Sequence, residues 1–271
     1  MGEILNFPRD NLRRKLFVQE STEHQAKLEI RTFQWLVERY TKPGETIIDP
    51  MSGIGTVHVA ATMERNTIAI EISPRFVELQ HMNIAKLNQE LGINANTQVL
   101  EGDCRRFLPI LRTPNSDGSY TRYSTIFSPP YGDLFKASKA EKSDFMKDKH
   151  INIGYDLQDA NVGNISNYPL YLNAMRVIYQ LCNQSLFIGE TMVIVVKDYV
   201  KGGDRVLCTK DNIRMCYDTG FEVREWHERY TDPKVFQIKA RANRIAKGLV
   251  HRPELDIDFE DIVVLEKISD A

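Results

Sequence analysis

Apolar positions along the chain fall into two alternating rhythms. Short runs such as Thr46 to Asp49, Thr67 to Glu71, Thr97 to Leu100, Tyr123 to Phe127 and Thr191 to Lys197 read as buried strands. Between them, apolar residues recur at helical spacing. His24 to Tyr40 places Leu28, Phe33, Leu36 and Val37 on one face, Thr56 to Glu64 opens a helix, and Pro74 starts another that runs to Leu91 before Gly92. Further on, Tyr168 to Phe187 and Arg205 to Thr219 read as helices, Gly220 as a cap, and Phe221 to Trp226 and Asp261 to Glu266 as strands. Strands alternating with helices predict an α/β fold, a doubly wound parallel sheet of about seven strands with helices on both faces.

Composition agrees with one packed domain over residues 1–271: 42% of the residues are hydrophobic and 27% charged, which supplies ample core. No run approaches the 18 apolar residues a membrane span needs, and the basic, Pro8-containing opening does not read as a secretory leader. Cys104, Cys182, Cys208 and Cys216 form no CxxC pair, so neither a zinc site nor a disulfide framework is expected, and a reducing cytoplasm fits. The net charge of −2 is uninformative, but its distribution is not. Lys234, Lys239, Arg241, Arg244, Lys247 and Arg252 lie in a stretch without an acid, and five lysines stand between Lys136 and Lys149. Both stretches fall in inserted loops, residues 133–167 and 228–258, and long connections of this kind tend to carry function.

Three features at predicted strand ends carry chemistry. The first is Asp49-Pro-Met-Ser-Gly-Ile-Gly-Thr56, in which Gly53 and Gly55 let the backbone turn sharply and approach a ligand. A nicotinamide dinucleotide fingerprint would need a small residue at position 58, and His58 excludes it. Second, Asp49, Glu71 and Asp103 are acids at three successive strand ends, which outlines a pocket for a nucleoside bearing a positive group. Third, a strand delivers Ser128-Pro129-Pro130-Tyr131, a stiff segment whose prolines lack N–H donors and leave carbonyls free to accept from a planar base with an exocyclic amine.

In this order, these motifs resemble those of the DNA amino-methyltransferases, the family that makes N4-methylcytosine or N6-methyladenine. Ser128 to Tyr131 matches its (S/D/N)-P-P-(Y/F/W) signature, and Asp49 to Thr56 matches its cofactor loop except that Met51 replaces an aromatic residue. His24 and Lys27 fit an upstream element in which Gln25 and Leu28 replace two prolines. The resemblance spans roughly residues 23–267 and is weakest in the two long loops.

What the resemblance implies is a Rossmann-like methyltransferase with an antiparallel last strand and S-adenosylmethionine as cofactor. Gly53 and Gly55 would face its methionine part, Asp49 its amino group, Glu71 the ribose and Asp103 the adenine amine. His24, Lys27, Met51, Thr56, Ile72 and Cys104 would complete the cofactor site, and no metal is implied. Ser128 and the Pro129 carbonyl would hold the target amine while Tyr131 stacks on a base flipped out of double-stranded DNA. Serine in the first motif position favours cytosine N4, with adenine N6 the alternative and an RNA base amine a rival. Lys136, Lys139, Lys239, Arg241, Arg244 and Lys247 are the expected DNA contacts, and a cognate restriction endonuclease is a candidate partner.

Overall fold

The computed structural model describes residues 2–7, 12–23, 28–92, 96–130, 160–201, 203–231 and 255–271. Its frame is a sheet of eight strands: β1 (Ile4–Leu5), β2 (Thr46–Asp49), β3 (Asn66–Glu71), β4 (Thr97–Glu101), β5 (Tyr123–Phe127), β6 (Thr191–Val196), and, after a small hairpin of β7 (Tyr199–Lys201) and β8 (Asp204–Val206), β9 (Phe221–Tyr230) and β10 (Phe259–Lys267). The spatial order is β1-β9-β10-β6-β5-β2-β3-β4. Strands β4, β3, β2, β5 and β6 pair in parallel, and β10 runs antiparallel to both β6 and β9.

Helices cover both faces. On one, α4 (Cys104–Leu111), α5 (Tyr168–Ser185) and α6 (Cys208–Asp218) pack Leu108, Tyr171, Met175, Ile178 and Met215 onto Ile48, Ile70, Phe127, Ile194 and Val263. On the other, α2 (Ile30–Tyr40), α3 (Pro74–Leu91) and the 3-10 helix Thr56–Met63 pack Phe33, Leu36, Val57, Phe76 and Leu79 onto Ile47, Ala69, Ile126, Val193 and Val264. Successive strand residues such as Ile47 and Ile48 thus enter opposite cores, which is why these strands are unbroken apolar runs. A short N-terminal helix, α1 (Leu12–Leu16), precedes α2. Among the described residues no helix is long and apolar enough to cross a membrane.

The doubly wound sheet and its antiparallel last strand agree with the sequence reading, and several details differ. The sheet has eight strands rather than about seven, because the two-residue β1 joins β9, with Ile4 opposite Glu228. Helix α2 starts at Ile30 rather than His24, since the Glu29 carboxylate caps it by accepting from the Thr32 N–H at 2.8 Å. The helix expected from Arg205 starts at Cys208: Gly203 takes a φ of +92° in the turn of the β7–β8 hairpin, and Arg205 lies in β8, where its Nε donates to the Asp198 carboxylate at 2.8 Å. Strand β9 continues to Tyr230, so residues 228–230 belong to the sheet and not to the inserted loop. Helix α4 was not foreseen; Asp103 caps it, and Pro109 inside it obscures the helical pattern.

Candidate functional site

The strand order reverses between β2 and β5, and ligands in doubly wound sheets bind at that point, beyond the carboxyl ends of the strands. Ile48 of β2 lies opposite Thr125 of β5, so the two chains leave the sheet side by side. One leads through Asp49 into the glycine loop and the other into Ser128, Pro129 and Pro130.

The glycine loop is held from three sides. Gly53 and Gly55 have φ of +52° and +79°, values that favour glycine. The Glu71 carboxylate, at the end of β3, accepts from the Gly53 N–H at 2.7 Å and from the Ser73 N–H at 2.8 Å. From α3, the Gln80 amide donates to Ser52 Oγ at 2.8 Å and to the Gly53 carbonyl at 2.7 Å, while Asn83 donates to the Ile54 carbonyl at 2.9 Å. His58 lies fully buried beneath the loop, with Nε2 2.9 Å from Gln80 Oε1 and Nδ1 3.1 Å from Thr67 Oγ1. Burial pushes its pKa down to about 4, so the ring is neutral. A Cβ on Gly55 would fall 2.5 Å from His58 Cδ2, whereas one on Gly53 would meet nothing within 4 Å. The side chain that rules out a dinucleotide fingerprint is therefore the floor of this loop, and Gly53 faces open space.

Asp49 is 8% exposed and Glu71 7%. The Met51 N–H donates to Asp49 Oδ1 at 3.0 Å. Burial, with a smaller contribution from the nearby Glu71 charge, raises the Asp49 pKa to about 8 against that hydrogen bond. Two buried acids at neighbouring strand ends favour a cation between them. A ligand combining a positive centre with a ribose fits this donor and acceptor set.

The other expected cofactor residues are distributed unevenly. Met51 and Ile72 are half-buried at the rim, while Thr56 is buried and accepts from Arg13 Nη2 at 3.1 Å. Cys104 packs into the core, and burial pushes its thiol up to about 12, so it is uncharged. Asp103 is committed on both oxygens: it accepts from the Arg105 N–H at 2.9 Å and from Arg105 Nη2 at 2.6 Å. Burial acts to raise its carboxyl, yet the Arg105 hydrogen bonds hold it below the usual range. His24, Lys27, Tyr131, Lys136, Lys139, Lys239, Arg241, Arg244 and Lys247 lie outside the described residues.

On the β5 side, Ser128 and Pro130 are half-buried and Pro129 is buried. The sequence reading left both proline carbonyls free, but the Tyr171 hydroxyl donates to the Pro130 carbonyl at 2.6 Å. Farther along the rim, Lys197 follows β6 and donates to Thr231 Oγ1 at 2.6 Å. Thr231 in turn donates through its N–H to the Asp258 carbonyl at 2.6 Å.

Sequence reasoning missed Gln80, Asn83, Tyr171 and Lys197. For the first two a signal existed: both sit among Phe76, Val77, Leu79 and Leu87 on the buried face of α3, where an amide needs a polar partner.

Residues 3–82 match the model of a family described as DNA methylase. That span runs from β1 into α3 and includes the glycine loop and Glu71, but ends before Ser128. The Type II methyltransferase M.BglI of Bacillus subtilis is 37% identical over 68 residues, which is 25% of this chain and 20% of that protein. The matched part thus spans about a fifth of that relative's length. Among solved structures, NSun6 from Pyrococcus horikoshii is similar with a TM-score of 0.50 and 14% identity, over 97% of this chain and 57% of that one. TrmN from Thermus thermophilus gives 0.49 and 14%, over 92% and 52%. At such identities the first of these likenesses concerns the fold alone.

Proposed function

We propose that this chain is an S-adenosylmethionine-dependent methyltransferase acting on the exocyclic amine of a nucleobase in nucleic acid, with cytosine N4 in double-stranded DNA as target and adenine N6 as the alternative. The observation that carries this reading is the convergence, at the switch point of the sheet, of a ligand-ready glycine loop, the buried acids Asp49 and Glu71, and the Ser128-Pro129-Pro130 segment. The DNA methylase match over residues 3–82 supports the cofactor half. The target half rests on the chemistry of the segment itself.

The cofactor would supply an electrophilic methyl group on a sulfonium centre. Asp49 and Glu71 would hold its positive and ribose parts, beside the open face of Gly53. An exocyclic amine is a weak nucleophile because its lone pair is delocalised into the ring. Ser128 Oγ and the Pro129 carbonyl accept hydrogen bonds from its two N–H groups and pyramidalise the nitrogen, turning the lone pair toward the methyl. Methyl transfer would use that lone pair and leave the nitrogen acidic, so its extra proton would pass to solvent without a dedicated base. Positioning and electrostatics therefore carry the catalysis. Duplex substrate requires the base to be flipped out, and Lys197 with the basic stretches of the two inserted loops meets the phosphates.

Transfer of labelled methyl to DNA and, separately, to RNA, followed by nucleoside mass spectrometry, tests the proposal. N4-methylcytosine in DNA is expected. N6-methyladenine would move the base assignment, label only in RNA would replace the substrate, and cofactor binding without transfer to either would refute the reading. Ser128→Ala is expected to lower kcat by about 10- to 1,000-fold with cofactor affinity kept.

A further inference from the structure

We infer that Tyr171 is a positioning residue for the Ser128–Pro130 segment, acting through the carbonyl of Pro130; the inference rests on the proposed transfer reaction and deepens it. Past Phe127, the last residue of β5 paired to β6, the segment has few means of anchorage. Pro129 and Pro130 contribute no N–H, so the backbone here can be tied down only through its carbonyls or through Ser128. The Tyr171 hydroxyl supplies that tie at 2.6 Å, from a side chain that is 1% exposed.

The donor is itself rigid. Tyr171 lies in the first turn of α5, packs in the same core as Phe127, and stacks on Tyr168 with ring centroids 5.8 Å apart and an interplanar angle of 18°. Because a peptide unit is planar, fixing the Pro130 oxygen fixes the plane in which the chain leaves the rim. The preceding plane, which carries the Pro129 carbonyl, is then constrained by the locked φ of Pro130. The arrangement also divides labour between the two carbonyls: Pro130 is committed to the protein, and Pro129 is left for the amine.

Tyr171→Phe removes the hydroxyl and keeps the ring. A misplacement of about 1 Å costs on the order of 100-fold in rate, so kcat should fall by about 10- to 100-fold, with the KM for S-adenosylmethionine and its dissociation constant within about twofold of wild type. Tyr168→Phe, which keeps the ring stacked on Tyr171 and removes only the hydroxyl that donates to Asp211 of α6 at 2.8 Å, serves as the control and should keep kcat. Hydrogen exchange at the amides of Ile126, Phe127 and Ser128, faster in Tyr171→Phe and unchanged in Tyr168→Phe, reads the anchorage independently of catalysis. An unchanged kcat in Tyr171→Phe, an equal loss in both variants, or exchange at the wild-type rate would overturn the inference. If the wild-type chain transfers no methyl group, the functional reading falls, and the exchange measurement alone then decides whether Tyr171 holds the segment.

Discussion

Gly53 and Gly55 lie two positions apart in the same loop, both with positive φ, yet the structure assigns them opposite sensitivities to alanine. Each substitution carries the backbone cost of an L-residue in the left-handed region, about 1–2 kcal/mol. At Gly53 that is the whole cost, because the added Cβ meets nothing within 4 Å. At Gly55 the Cβ would stand 2.5 Å from His58 Cδ2 and 2.9 Å from Gln80 Cγ. Neither side chain can retreat easily, since both are fully buried and bonded to each other and to the loop. Overpacking of this kind adds about 1–3 kcal/mol. Gly55→Ala should therefore lose about 2–5 kcal/mol in urea unfolding of the ligand-free protein, and Gly53→Ala about 1–2. Binding should divide them the other way when each is compared at equal folded fraction. Gly53→Ala places a methyl group where the ligand approaches and should weaken S-adenosylmethionine binding by tenfold or more by calorimetry. Equal destabilisation by the two variants, or unimpaired binding by a folded Gly53→Ala, would refute the assignment of floor and open face.

Two titrations follow from the same site. The Asp49 pKa is raised to about 8, so the folded chain holds an extra proton between about pH 4 and 8, and the contribution of this group to stability falls as pH rises through that window. Asp49→Asn should therefore gain stability relative to wild type up to about pH 8 and then level off, and binding of the cationic cofactor to wild type at pH 7 should release close to one proton, read by calorimetry in buffers of different ionisation enthalpy. Absence of proton release would show that Asp49 is ionised without ligand. His58 acts in the opposite direction. Its pKa is lowered to about 4, so the unfolded chain binds the extra proton between about pH 4 and 6.5, and stability is lost as pH falls through that range. Between pH 7 and 5 the loss from this group is about 2 kcal/mol; a His58→Gln variant whose acid sensitivity matched wild type would contradict it.

The centre of the sheet was legible because burial on both faces leaves its mark on β2, β3, β5 and β6. Thr46–Asp49 and Tyr123–Phe127 are delimited in the sequence as they are in the structure, and Pro74 and Gly92 bracket α3. What escaped was structure decided by partners distant in sequence. The two residues of β1 have no periodicity to read and gain their place from β9, and the start of α6 is displaced by an ion pair between Arg205 and Asp198. The site divides in the same manner. Acids and glycines at strand ends are local signals, whereas the supports Gln80, Asn83 and Tyr171 act on backbone carbonyls from helices elsewhere in the chain. Asp103 shows the converse, an acid at the expected place whose charge is taken by Arg105, two residues away.

That division also orders the charge along the rim. The β2 and β3 ends carry buried carboxylates, Asp49 and Glu71, held close to the glycine loop. Across the switch point the ends of β6 and β9 bring Lys197 and Arg229, the latter shared with Glu260. A positively charged small molecule is favoured on the first side; on the second, Glu260 pairs with Arg229 and Asp198 directly follows Lys197. The Ser128–Pro130 segment stands between them, neutral, with two of its three residues unable to donate from the backbone. A group reaching it from across the switch point meets acceptors, and an amine is the part of a nucleobase that can satisfy them. The electrostatics of the rim and the donor-poor chemistry of the segment are separate properties of the chain. One suits a cationic methyl donor and the other an amine, and that pairing is the reason to test amino-methylation first.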